Sequence, residues 1–247
     1  MGYLALSELK AELDRLYERY HHPSYRAEDP VEVIWAYERS EDQEIAGLWA
    51  ALFAWGRREV ALRKVRTLLS ELGDSPSAAL REGYFLQVNW RHRTWTPTDM
   101  QTLWERLKML YQREGNLAGF FWKRRWNWEE AIAEFQRTIG LPPLRRYVGD
   151  LRRGSASKRI LLWLRWMIRR DCIDPGPWDG FSPACLFTPI DVHVRAWALR
   201  QGICIATSPS WRDVRRLTEI FRQIAPDDPL RYDFAIVTAG SRASAAL

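Results

Sequence analysis

Lysine is scarce in this chain of 247 residues, with only five among its 37 lysines and arginines, so generic surface charge falls to arginine. Cysteine is scarcer: Cys172, Cys185 and Cys204 stand at no metal-ligand spacing, which excludes a disulfide scaffold and fits reduced thiols. Long apolar runs are missing. The stretch Ile45 to Trp55 falls short of the ~20 residues needed to cross a bilayer, so no membrane partner is expected. The opening MGYLALSELKAELDRL mixes charge into its first ten positions, unlike a signal peptide, and predicts a cytoplasmic protein. Strand signals are thin as well: Tyr84 to Trp90 (YFLQVNW) reads as extended but has no hairpin partner.

What is present is 47% hydrophobic and 28% charged residues, a globular composition that rules out wholesale disorder. The length suits one large domain or two small ones sharing a cleft. The net charge is +6, and there are 14 tryptophans. Arginine forks bind phosphate and aromatic faces accept unstacked bases, a pairing that points to nucleic acid. An arginine-rich genome with a tryptophan-rich core meets the same numbers.

Helical periodicity runs almost throughout. Leu6, Leu9, Leu13, Leu16 and Tyr20 make the first stripe, and Asp29-Pro30 opens a second helix with a cap and a first-turn proline. Ser40 to Gln43 reads as a capping box ahead of Ile45, Leu48, Trp49, Leu52 and Phe53, with a stop at Gly56. Val60 to Leu72 closes at Gly73, and Thr96-Pro97 starts a helix that Gly115 follows. Ser208-Pro209 and Asp228-Pro229 repeat the cap-then-proline signal. The expected fold is all-α, about ten helices, with one long non-periodic segment from Asp171 to Pro189. An ordered loop of that length tends to be functional.

Three pieces carry chemistry. In the first, a helix from about Pro143 to Leu151 leads into Arg152-Arg153-Gly154-Ser155-Ala156-Ser157, and an apolar helix starts at Lys158. Small residues there let backbone amides approach a phosphate, beside Arg152, Arg153 and Arg159. A structural αα-hairpin accounts for the same residues. The second is Lys158. It can lose its proton when buried or set near other cations (Arg152, Arg153 and Arg159), and the free amine is a nucleophile. A solvated first-turn lysine is the bland alternative. The third is Thr188 to Trp197 (TPIDVHVRAW), where Asp191 is the sole carboxylate between Asp179 and Asp213. It sits at a helix N-cap, either as a cap worth roughly 1 kcal/mol or as a carboxylate at a cleft mouth.

The order of hairpin, lysine and P-I/V-D-x-H-V-x-R, carried by GSASK at 154–158 and PIDVHVRAW at 189–197, resembles the lysine-bearing branch of the helix-hairpin-helix DNA glycosylases. The spacing is most like the archaeal 8-oxoguanine DNA glycosylase/AP lyases. SASKRILLWLRWMIRRDCIDPGPW, PIDVHV and DPLRYDFAIVTAG also resemble an uncharacterised bacterial family of this size. The hairpin reads Arg-Gly-Ser-Ala-Ser where the superfamily has L-P-G-V/I-G. No four-cysteine motif follows Asp191, and Ala51 to Gly56 lacks the glutamine with which the archaeal enzymes read the base.

The resemblance implies two helical lobes around a DNA-binding cleft, residues 30–185 with the helix-hairpin-helix and 1–29 plus 186–247 from both termini. It implies a nucleoid-associated monomer that excises an oxidised base, 8-oxoguanine, from double-stranded DNA, with no metal and no cofactor. Lys158 attacks C1′ and forms a Schiff base, β-elimination follows, and Asp191 stabilises the sugar's growing positive charge. Arg152, Arg153, Gly154, Ser155, Ser157, Arg159, His193 and Arg195 hold DNA; His193 as a structural residue is the alternative. Phe53, Trp55, Trp90, Trp178 and Pro189 line the base pocket, and Asp233 reads the base edge or answers a helix dipole. A lyase for another lesion needs the same two residues. A non-enzymatic DNA- or RNA-binding protein needs only the arginines, and an adaptor only the tryptophans.

Overall fold

Apolar residues spaced three or four apart form stripes that are buried only where helices lie against one another. In the computed structural model, which describes residues 6–245, they do so throughout, and the fold is all-α with no β-strand among the described residues. The helices are α1 (Leu6–Tyr20), α2 (Ser40–Phe53), α3 (Arg58–Glu71), α4 (Pro76–Glu82), α5 (Pro97–Glu114) and α6 (Leu117–Arg124). They continue with α7 (Trp128–Ile139), α8 (Arg145–Val148), α9 (Lys158–Ile168), α10 (Val192–Arg200), α11 (Trp211–Ile224) and α12 (Asp233–Ala245). Among the described residues no helix is long and apolar enough to cross a membrane.

Two packed groups meet. Helix α9 lies along α2, which also contacts α3 and α4, while α12 packs against both α1 and α10. The α2–α9 approach is close at Gly47, where a Cβ would stand 2.8 Å from Met167 Cε and 3.0 Å from Ile34 Cδ1. Two buried arginines, Arg165 within α9 and Arg169 at its C-cap, join the groups. Arg165 pairs with Asp174 and with Asp233 of α12, and Arg169 with Asp171, Asp174 and Asp228. Buried charges need their partners, so the network fixes how α12 sits on α9.

Several local expectations change. The segment after Asp29 is a 3-10 helix, Pro30–Ala36, although Asp29 does cap it through Val31 N at 3.0 Å. Ser40 and Gln43 form no capping box, because Gln43 Nε2 donates to Tyr37 O instead. α2 ends at Phe53, before Gly56. The C-terminal starts move inward: Ser210 caps α11 with Asp213 completing the box, and α12 opens at Asp233 while Asp228 is engaged by Arg169. The stretch expected as one helix over 143–151 is a four-residue turn, α8, then Gly149 with φ 85° and a 3-10 turn, Leu151–Arg153. Glycine's left-handed backbone breaks the ladder there. The count is twelve α-helices among the described residues, not ten. The loop after α9 does run irregularly to Asp191, apart from a 3-10 turn at Pro183–Cys185.

Candidate functional site

Lys158 is the first residue of α9, and its side chain is half-buried. A helix returns to the same face every three to four residues, so Lys158, Leu162 and Arg165 line up. All three face one cavity of about 470 Å³. Asp191 enters from the N-cap of α10, where its Oδ1 accepts from His193 N at 2.9 Å and Val194 N at 2.7 Å. The turn before α3 brings Trp55, Gly56 and Arg58; α12 brings Asp233, Phe234 and Val237; Asp29 closes the far side.

Burial lowers the proton affinity of Lys158, Asp191 opposes that shift and Arg159 adds to it. The expected depressors Arg152 and Arg153 contribute nothing, because both are exposed and turned toward carboxylates. Among the described residues Lys158 has no ion pair or hydrogen bond, so its amine is free toward the cavity. Asp233 is buried, and burial pushes its carboxyl up to about 6 against the opposing pull of Arg165. Its Oδ2 takes Arg165, and its Oδ1 has no partner. A buried acceptor left open is costly unless something fills it. Asp29 is likewise raised by burial, with Arg58 the chief opposing charge. The cavity therefore offers a free amine, a carboxylate held by two amides, an unused buried acceptor and an indole, Trp55, that is 39% exposed at the mouth.

Of the expected base-pocket residues, Trp55, Pro189 and Asp233 line this cavity. Phe53, Trp90 and Trp178 do not. Phe53 is wholly buried between Trp49, His92 and Trp95. Trp178 lies in the core, donating to Glu44 Oε2 at 2.8 Å, and Trp90 stands edge-on to Phe53 beneath Lys64. The hairpin lies elsewhere too. Arg152 forks onto Glu130, and Arg153 lies 4.0 Å from Asp150. Gly154 accepts Trp211 N, Ser155 bridges to Ser210, and buried Ser157 Oγ accepts from Gln136 at 2.8 Å. The start of α11 thus bonds to the loop expected to hold phosphate, while Gly154 itself stays exposed. Arg159 donates to Tyr147 O and lies over Trp55, and Arg195 donates to Ala206 O. The His193 ring lines the cavity beside Gly240.

Arg58, Leu162, Arg165 and Asp29 were not anticipated. The i, i+4, i+7 spacing from Lys158 carries Leu162 and Arg165, but nothing local tells which face of α9 meets a cavity. One further donor cluster lies apart from the cavity: His21, Asp171 and Cys172 have ligand atoms within 4.8 Å of one another. Arg169 Nη2 already sits 2.9 Å from Asp171 Oδ2.

Residues 29–242 match the model of a family described as protein of unknown function (DUF2400). Neither a curated protein nor a solved structure matches the chain. The likeness to helix-hairpin-helix DNA glycosylases is thereby overturned: the family that covers the chain is one of unknown function, and no glycosylase match accompanies it. The two motifs that carried the likeness are short, and a helix-starting lysine and an N-cap aspartate arise readily in unrelated helical folds.

Proposed function

This chain belongs to the DUF2400 family, whose activity is unassigned, so its function must be read from the cavity; we propose that it is a DNA-acting lyase that excises a damaged nucleobase through an amine adduct on Lys158. The observation that carries this reading is the unpaired, burial-depressed amine of Lys158 in one cavity with Asp191.

The chemistry follows from those groups. A neutral amine attacks C1′ of a nucleotide turned into the cavity. The Nζ–C1′ bond forms, the glycosidic bond breaks, and its electron pair leaves with the base, which takes up a proton. The Asp191 carboxylate stabilises positive charge on the sugar as that bond stretches. Nitrogen loses a proton, the C1′–O4′ bond opens with protonation of O4′, and a Schiff base results. Loss of a C2′ proton then expels the 3′ phosphate. Trp55 supplies a stacking face at the mouth. The open Oδ1 of Asp233 suits a base edge that presents N–H donors. The choice of 8-oxoguanine leaned on the overturned likeness and is not carried forward; the lesion class the cavity supports is a base with such an edge.

Borohydride trapping tests this. Incubated with duplex bearing an abasic site or a damaged purine, the protein should yield a covalent adduct that Lys158→Gln abolishes. An adduct that survives Lys158→Gln, or none with the intact protein on any of these duplexes, overturns the reading. A protein that binds such duplexes without trapping is a DNA-binding protein and not an enzyme of this kind.

A further inference from the structure

Surface arginines differ in whether a carboxylate answers them: Arg113 has Glu114, Arg137 and Arg152 share Glu130, and Arg170 has Asp179. Others among the described residues, such as Arg19, Arg200 and Arg212, form no ion pair and are scattered over the chain. Along α3 and the turn at 91–93 the unanswered cations are neighbours. Among the described residues Arg57, Arg58, Arg63, Lys64, Arg91 and Arg93 form no ion pair. The one acidic side chain in the same first turn, Glu59, is exposed and pairs with none of them.

Part of this unpaired set borders the cavity. Arg58 lines it, and Arg93 lies across Gly56, where a Cβ would meet its guanidinium at 2.0 Å. Trp55 has Arg93 over it at 5.9 Å and Arg159 at 5.1 Å, and Lys64 covers Trp90 at 4.3 Å. Indole faces hold these cations in place, so less side-chain freedom is lost when an anion arrives. Arg93 also has a left-handed backbone, φ 55°, in a tight turn closed by the His92–Trp95 bridge. A non-glycine residue there is strained by roughly 1 kcal/mol, and such strain gathers where a side chain must be aimed.

We propose that this α3 edge of the cavity mouth, and not the 152–157 hairpin, grips the phosphodiester backbone of duplex DNA, with Lys64 and Arg93 on phosphates beside the nucleotide that enters the cavity. The inference rests on the reading of the cavity as a nucleotide site. Alternating cations and indoles fit a nucleic acid better than an acidic protein, since the indoles meet bases where the cations meet phosphates.

The test is binding, without chemistry. A fluorescein-labelled duplex carrying a tetrahydrofuran abasic analogue cannot form a Schiff base, so its anisotropy with the full chain reports grip alone. Lys64→Gln with Arg93→Gly removes two cations, and glycine relieves the turn, so misfolding does not account for a loss. The affinity should fall about tenfold or more, and the slope of log affinity against log salt should drop by about 2. Arg113→Ala with Arg137→Ala should bind within about twofold of the unaltered protein. Unchanged binding in the Lys64/Arg93 variant, a larger loss in Arg152→Ala with Arg153→Ala, or labelled polyglutamate bound as tightly as the duplex each overturns the proposal. Absence of a borohydride adduct would leave this binding result standing, so the two failures are told apart.

Discussion

Lys158 opens α9 and Asp191 caps α10, and the two side chains line one cavity without pairing with each other. Asp191 already has two backbone amides, and Lys158 has no hydrogen-bonded partner. That division leaves the amine available for attack and the carboxylate anchored, and the predictions about chemistry follow from it.

Asp191→Asn keeps an oxygen that can accept from His193 N and Val194 N, and asparagine caps helices as well as aspartate. The fold and the affinity for an abasic-analogue duplex should hold. Base release in single-turnover assays should slow on the order of a hundredfold. Unslowed release would remove Asp191 from the reaction.

An amine attacks only when neutral, and burial lowers the proton affinity of Lys158 below the ordinary 10.5. Adduct formation at saturating DNA should therefore rise with pH and level off below the range of a free lysine. The Asp191 charge acts the other way, so Asp191→Asn should move the inflection to lower pH. A pH series of trapping rates for both proteins checks the direction.

Trp55 stands at the mouth and Trp178 in the core. Trp55→Ala should leave the thermal midpoint nearly unchanged and weaken binding of an unstacked-base duplex by about tenfold, the worth of one stacked base. Trp178→Ala removes a buried indole and the donor to Glu44, and should cost about 3–5 kcal/mol in denaturant titration.

Arg165→Met leaves Asp233 with no charged partner and takes one of two from Asp174. Stability measured by chemical denaturation should fall by about 3–5 kcal/mol. A neutral result would mean that the α9–α12 contact is held by apolar packing alone.

Glu44 is wholly buried, and burial pushes its carboxyl up to about 7 although Tyr111, Leu117 N, Ala118 N and Trp178 donate to it. Its folded proton affinity exceeds the ordinary 4.5, so its contribution to stability is full below 4.5 and lost as pH rises through about 7. Glu44→Gln should remove that part of the decline between pH 5 and 8, and lower stability overall because an amide cannot accept from all four donors.

Helix positions were legible because their cause is local. Leu6, Leu9 and Leu13 show their period within two turns, and Thr96 with Asp99 forms its capping box from adjacent residues. Asp191 was recognisable as a cap for the same reason. The errors share the opposite cause. Gln43 prefers Tyr37 O to its own helix end, and Asp228 accepts from Leu230 N and pairs with Arg169 while α12 opens only at Asp233.

Local rules sufficed for the all-α class and for a lysine and an aspartate at two helix starts, since backbone periodicity and capping are settled within a few residues. Long-range packing set the rest: that these two share a cavity, that Trp55 borders it while Phe53 and Trp178 are core, and which arginines are already neutralised. Burial and ion pairing depend on residues such as Glu130 and Arg152, distant in the chain, whose meeting is fixed by how helices pack.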